Sequence, residues 1–588
     1  MKKNLIPLVL IVLSCTSIST VPSAERSPAR VGQDWPQWSG DIHNNHNLTP
    51  ENPLLNRTNV KNLKVKWSTD SGSSVVSTPT FKKEVLYFNE ISKIGVGGLF
   101  KGGNLHAVNA QDGKEIWSHK VQDYTGHSIR DFSRSSPAIS GDMLFIGDSV
   151  NNLKFIAHST IGFKGLPGST MMGINRLTGK LLWKTEVETH FASRITMSPI
   201  VIGDKVIVGV SSMESEIPAV KGPFYKCCNF RGSVVALSAT SGKILWKTRT
   251  IDDSLTDFSG APVWGSSPPV DEKRNRIYVG SGNNYHNPKE LIVCYQEVMK
   301  KENLPSSEAI KKCAKEKDSP KNRFDSIIAL DITSGKIIWT KKTSIQDAWN
   351  VGCGSPFNHK FPIRTERICP NPEGLDSDFA QAPMFIPAEK NELGFDILAV
   401  GQKNGVFWVI EAESGKTVWT RQVGPGGKLG GHQWGSATDG KKIYYQTTNL
   451  EHKLVKLDAG YSKGKAVNGG FWGAVDIKTG SDVWQTPDPS SEFPLKGEGI
   501  NHIIYGKNLG RGFFASAMGP LTFYNQMLFV GSVSGEMLAL DSSDGKILWS
   551  FMAKGSVVGA PSVVNDTLYW GTGYHMGLEG NKVYAFGL

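Results

Sequence analysis

Two cysteines stand on neighbouring residues, Cys227 and Cys228, in the stretch GPFYKCCNFRGS. A metal site ordinarily spaces its cysteines by two or more residues so that the chain can wrap the ion. The pair therefore reads either as two separate thiols or as a closed eight-membered disulfide ring. The compartment bears on that choice, because disulfides persist only where the surroundings oxidise. The N-terminal run MKKNLIPLVLIVLSCTSISTVPSAERS has two lysines, an apolar stretch from Leu5 to Leu13 and then small residues. That is a secretory signal over residues 1–24, too short to span a bilayer as a mature helix. Two cleavage points compete. VLSC resembles a bacterial lipoprotein box, which makes Cys15 a lipidated first residue, whereas cleavage near Ala24 releases a soluble protein. Both place the chain in the periplasm or outside the cell. Beyond the signal six cysteines remain, Cys227, Cys228, Cys294, Cys313, Cys353 and Cys369. An even count in an oxidising compartment predicts three bridges. No Cys-x-x-Cys-His occurs, so no c-type haem is attached covalently.

The elements that must position such groups show themselves as a repeat. DGKEIW ends at Trp117, TGKLLW at Trp183, SGKILW at Trp246, SGKIIW at Trp339, SGKTVW at Trp419, TGSDVW at Trp484 and DGKILW at Trp549, with a related NLKVKW at Trp67. The Gly in each turn supplies a positive φ, and alternating residues on either side read as half-buried strands. A recurring β unit with an aromatic anchor predicts radial repetition, a β-propeller, in which each Trp docks one four-stranded blade onto the next. Eight tryptophans predict eight blades, an all-β fold spanning 35–588. The terminal GNKVYAFGL is a strand with no Trp after it, and pairing it with the N-terminal strands before Trp67 closes the ring. Two segments interrupt the period. Residues 288–320 read as a helical insertion whose ends Cys294 and Cys313 can pin, and 351–378 form a loop holding Cys353 and Cys369. The net charge of +11 is spread along the chain, mostly in turns. That is a solvated surface and not a nucleic-acid footprint.

LNRTNVKNLKVKW, the TGKxxW repeats and GSGNN together resemble the quinoprotein alcohol dehydrogenases. CCNFRGSVVALSATSGKILWKT, VWGSSPPVDEKRNRIYVGSGNNYHNP and GGHQWGSATDGKKIYY resemble their polyvinyl-alcohol dehydrogenase-like branch, without a haem domain. The resemblance implies an eight-bladed propeller that binds pyrroloquinoline quinone (PQQ), a flat tricarboxylate, together with calcium, a hard ion that takes oxygen ligands. It implies Trp264 as the stacking ring, Arg134 and Thr196 as holders of cofactor carboxylates, and Ser211 as a cofactor hydrogen-bonder. Lys403 takes a place near the quinone oxygens, where a cation stabilises developing charge. Glu214 and Asn283 match the calcium ligands, with Glu216 as the alternative to Glu214. The base motif is split: QDAWNV puts Asn350 after Trp349, and DSDFAQAP resumes the pattern beyond the cysteine-bearing loop. The base is therefore assigned to Asp378, also a metal ligand, with Asp376 and Asp347 as rivals. In this frame Cys227 and Cys228 are either a rigid lid on the cofactor or a device that stiffens the segment after Glu214.

The chemistry implied is oxidation of secondary or polymeric alcohols to ketones or aldehydes. The metal acts as Lewis acid, Asp378 takes the hydroxyl proton, and electrons leave to an external cytochrome c or a similar acceptor. The competing reading is a non-catalytic envelope propeller that scaffolds or binds a ligand. A scaffold gives no reason for Trp264, Asn283, Glu214, Lys403 and Asp378 to occur together.

Overall fold

The computed structural model describes Met1 and residues 34–588 apart from 92–101, 128–130, 150–161, 163, 220–226, 303, 354–368, 493–510 and 575–576. Residues 2–33, which hold the expected signal and Cys15, lie outside the described residues. Gln33–Leu588 is a ring of eight four-stranded antiparallel blades about one axis. Blade one is Thr80–Lys82, Val85–Asn89, Asn104–Asn109 and Glu115–Lys120, and the next six follow in chain order, each ending on a docking Trp strand. Blade eight is composite. Ser562–Val564, Thr567–Gly571 and Lys582–Gly587 come from the C-terminus, and Lys64–Asp70 from the N-terminus supplies the outermost strand, with Trp67 opposite Ala585. The closing partner is thus the strand that carries Trp67.

Each hairpin before a docking Trp departs from plain alternation. Register shifts at Ala107/Val108, Gly173/Ile174, Ala236/Leu237, Ala329/Leu330, Val409/Ile410, Ala474/Val475, Ala539/Leu540 and Val65/Trp67 put a bulge at the residue immediately before each Trp. A bulge bends and twists its strand, which turns the indole out of the blade and onto its neighbour. It also leaves Ile116, Leu182, Leu245 and Ile338 exposed. Every docking indole N–H then donates to a backbone carbonyl of the following blade, at 2.8–3.3 Å. The repeated Gly serves twice. At Gly242 φ is +71°, and a Cβ would lie 2.4 Å from the ring of Trp183.

The segment after the signal lines the axis. Carbonyls of Pro36, Ile42, His43, Asn45 and His46 accept the N–H groups of Ile139, Val270, Phe385, Thr438 and Phe523, on the innermost strands of blades two, four, five, six and seven. The insertion in blade four is a pair of helices, Lys289–Lys301 and Ser306–Lys317, joined by the Cys294–Cys313 disulfide. Cys353–Cys369 and Cys227–Cys228 are the other two bridges.

Candidate active site

The antiparallel blade brings two places to the same end of the axis: the entry to the innermost strand and the exit from the second. The candidate residues fall on these two places. Arg134, Thr196, Trp264 and Asp378 precede the innermost strands of blades two to five, and Glu214, Asn283 and Lys403 follow the second strands of blades three, four and five. Loops on a rigid scaffold are thereby gathered around one point.

Asp378 stands in the middle of this group. Its Oδ1 accepts the backbone N–H of Asn283 at 2.6 Å and its Oδ2 accepts the indole N–H of Trp264 at 2.8 Å. The Lys403 ammonium lies 3.9 Å from Oδ2 and 2.8 Å from Asp376 Oδ1, with Asp376, Asp378 and Lys403 all buried. Burial pushes the Asp376 carboxyl well up despite the cation beside it. Burial also pulls on Lys403, but Asp376 and Asp378 outweigh it and hold the ammonium above its usual range. The third candidate base is turned away: Asp347 accepts the N–H groups of Asp376 at 3.0 Å and Ser377 at 2.5 Å, and so clamps the turn that presents Asp378. Non-glycine residues at positive φ gather here, with Asp376 at 61°, Trp434 at 58° and Ser266 at 39°. Such strain concentrates where surrounding structure over-determines a functional geometry.

The oxygen donors expected for a hard cation are buried and held in place by backbone groups. Asn283 uses both amide hydrogens on the carbonyls of Asn284 and Trp349, at 2.7 and 2.8 Å, which fixes its Oδ1 as the free face. Glu214 is fully buried, and its two oxygens each accept one of two successive backbone N–H groups, from Asn229 at 2.7 Å and Phe230 at 2.8 Å. Glu216, the alternative, is turned toward Arg194 at 2.7 Å with its side chain 46% exposed. The buried Tyr285 hydroxyl, held above its usual range by burial, shares a hydrogen bond with Ser212 Oγ at 3.3 Å, and Ser212 Oγ also accepts the Glu214 N–H at 3.2 Å. Carboxylates and a carboxamide suit a calcium-like ion.

The Cys227–Cys228 ring is half-buried, with Cys227 Sγ 3.8 Å from the Glu214 carbonyl oxygen. It immediately precedes the two N–H groups that grip the Glu214 side chain. Ser211 is buried opposite Arg194 in a short strand pair.

Arg134 lies 4.3 Å over the ring of Trp434, and among the described residues no carboxylate pairs with it. Burial pulls the guanidinium below its usual pKa. The guanidinium is half-buried between the rings of Trp434 and Tyr574, and a cation there with no carboxylate partner can receive an anion. With Thr196, Ser198, Ser266, Trp434 and Trp38 it lines a small pocket that is partly open to solvent. Trp264 meets Trp434 edge-on at 5.5 Å, and Thr196 Oγ1 donates to the Trp264 carbonyl at 3.0 Å. The donor set, the two indoles and a guanidinium without a carboxylate partner are groups suited to a flat polycarboxylate with a metal ion.

Trp434 was not singled out by the sequence reading, though it sits within GGHQWGSATDGKKIYY. A second repeat was also available. SSP at 135–137, SP at 198–199, SSPP at 266–269 and AP at 382–383 mark the entries to innermost strands. Hydrogen bonds link these entries around the axis, from Ser136 N to Ser198 Oγ, Ser198 N to Ser266 O and Ala382 N to Ser266 Oγ, at 2.7–2.8 Å.

The PQQ_2 family model, described as outer membrane protein assembly factor BamB, matches residues 58–221, 230–491 and 468–586. The chain is 27% identical over 544 residues to a polyvinylalcohol dehydrogenase of Sphingopyxis sp. (strain 113P3), covering 90% of this chain and 68% of that one. It is 26% identical to a polyvinylalcohol dehydrogenase of Pseudomonas sp., covering 94% and 76%. Among solved structures, the quinohemoprotein alcohol dehydrogenase from Comamonas testosteroni superposes with a TM-score of 0.60 at 16% identity, covering 94% of this chain and 80% of that one, which shows a shared fold.

Proposed function

The chain belongs to the PQQ_2 propeller family and, within it, to the quinoprotein alcohol dehydrogenases, and we propose that it oxidises secondary or polymeric alcohols, of the polyvinyl-alcohol type, with PQQ and calcium. The observation that carries this reading is the Asp378 carboxylate, buried yet held by two donors beside a buried ammonium at the mouth of the axis. Glu214, Asn283 and Asp378 would hold the metal. Arg134 and Thr196 would meet the cofactor's carboxylates, with Ser211 beside them, and Trp264 would carry its flat face. Bound there, the quinone supplies a two-electron oxidant and the metal a Lewis acid.

The chain's own residues supply the rest. Asp378 accepts the proton of the substrate hydroxyl. The Trp264 and Asn283 N–H groups fix the rotamer in which it does so. Lys403, held charged by Asp376 and Asp378, keeps a positive field where negative charge develops. The indoles of Trp264 and Trp434 meet edge-on beside the candidate base. The product is a ketone or aldehyde, and the electrons pass to an external cytochrome c or a similar carrier. The N-terminal signal places this work in the periplasm or outside the cell, with Cys15 as a possible lipid anchor; among the described residues no helix is long and apolar enough to cross a membrane.

A non-catalytic scaffold is the competing reading, and it leaves the buried Asp376–Lys403–Asp378 group without a purpose. The test is titration of PQQ into the apoprotein with and without calcium, followed by indole fluorescence and melting temperature, then a dye-linked screen of secondary alcohols. Saturable, calcium-dependent quenching with turnover is expected. No quenching in the oxidised protein favours the scaffold.

A further inference from the structure

His190 follows the outermost strand of blade two, Leu181–Glu188, and has no role among those above. Its surroundings leave the ring one orientation. Its backbone N–H donates to Glu188 Oε1 at 3.2 Å, and Glu188 is itself bound by Lys247 and Arg249. The ring lies between Phe191, stacked at 5.0 Å, and Phe230, edge-on at 5.6 Å. Nδ1 accepts the N–H of Ala192 at 3.2 Å, so the proton sits on Nε2 in the neutral ring. That Nε2–H donates to Asn229 Oδ1 at 2.8 Å and lies 3.5 Å from Glu214 Oε1. Asn229 is the residue directly after the Cys227–Cys228 ring, and its own backbone N–H grips the same Glu214 oxygen.

We propose that His190 is a positioning residue of the metal centre. It pins the Asn229 side chain, and the turn set by the vicinal disulfide then delivers the Asn229 and Phe230 N–H groups to Glu214 in the orientation that a cation requires. The inference rests on Glu214 as a metal ligand. Partners that orient ligands in this way are worth about 10–100-fold in metal affinity. The paired cysteines thereby serve the metal site through the backbone that leaves them.

The test is calcium titration of the full-length apoprotein, read by displacement of terbium luminescence excited through tryptophan, with apoprotein melting measured alongside. His190→Phe keeps the ring between its two aromatic neighbours and removes the donor; it should weaken calcium binding about 10–100-fold with an unchanged apoprotein melting temperature. His190→Gln keeps a donor and should stay within about threefold. Glu214→Gln should abolish the site. If His190→Phe binds like wild type while Glu214→Gln does not bind, the positioning role is overturned and the metal site stands. If wild type itself shows no saturable binding, both are overturned. Should His190→Phe melt early, Asn229→Ala removes the acceptor from a solvent-exposed residue instead, and wild-type affinity in that variant overturns the proposal.

Discussion

Adding one methyl group beneath the candidate base should disable it. Gly282 lies outside the left-handed φ region, so φ does not bar alanine there. A Cβ on Gly282, however, would lie 2.6 Å from Asp378 Oδ1, 2.7 Å from its Cγ and 2.8 Å from its Oδ2. Ordinary contact begins near 3.4 Å, so the whole carboxylate must retreat by about 0.6–0.8 Å. It cannot do so and keep both the Asn283 N–H at 2.6 Å and the Trp264 N–H at 2.8 Å. Hydrogen bonds to a charged group contribute about 1.5–3 kcal/mol each, and a misplacement near 1 Å costs about 100-fold in rate. Gly282→Ala should therefore lower kcat by about two orders of magnitude and weaken metal binding, while the blade, whose strand ends at Gly280, keeps its stability. The assay is dye-coupled alcohol oxidation by PQQ- and calcium-loaded protein, with thermal unfolding of the apoprotein as control. Turnover within threefold of wild type would refute the placement of Asp378 at the reacting centre.

Lys403→Met strands Asp376 without its cation and should cost about 3–5 kcal/mol of stability by denaturant unfolding. The double variant Lys403→Met with Asp376→Asn should recover most of it while remaining inactive. Asp488, fully buried, has its pKa pushed up to about 7 by burial, with Ser532 Oγ and the Ser490 N–H opposing. A folded value above the unfolded one means that stability is fully present below about pH 4 and is lost as the pH rises to 7. Asp488→Asn should then match wild type at pH 4 and be more stable at pH 8, by at most about 4 kcal/mol; equal melting temperatures at both pH values would contradict the shift. Trp183→Phe keeps a ring on the neighbouring blade but strands the Ala239 carbonyl that its indole N–H meets at 2.8 Å. It should lower stability by about 1–3 kcal/mol and leave cofactor affinity unchanged.

The architecture was legible because each blade repeats one local problem. A tight turn needs glycine, a half-buried strand needs alternation, and a blade needs an aromatic anchor, so a Gly-Lys turn before Trp recurs six times, with TGSDVW and NLKVKW as variants. The bulge before each Trp was not legible, because it is a property of the pairing register and the same residues could alternate without it. Among the site residues, motif resemblance singled out Asp378, Asn283, Lys403 and Trp264, which the fold brings into contact. It left Glu214 and Glu216, and Asp376, Asp347 and Asp378, as rivals, since a carboxylate's role depends on which donors face it. Trp434 escaped notice because nothing local distinguishes an indole that lines a cavity from one that packs a blade.

The sequence by itself determined the fold class and the number of blades, because these follow from short-range periodicity and turn chemistry; which N-terminal strand closes the ring was decided by the tertiary structure. The tertiary structure alone decided which donors hold each carboxylate and what the paired cysteines adjoin. Those facts depend on hydrogen bonds between residues far apart in the chain, such as Asp378 with Trp264 and Glu214 with the peptide after Cys228.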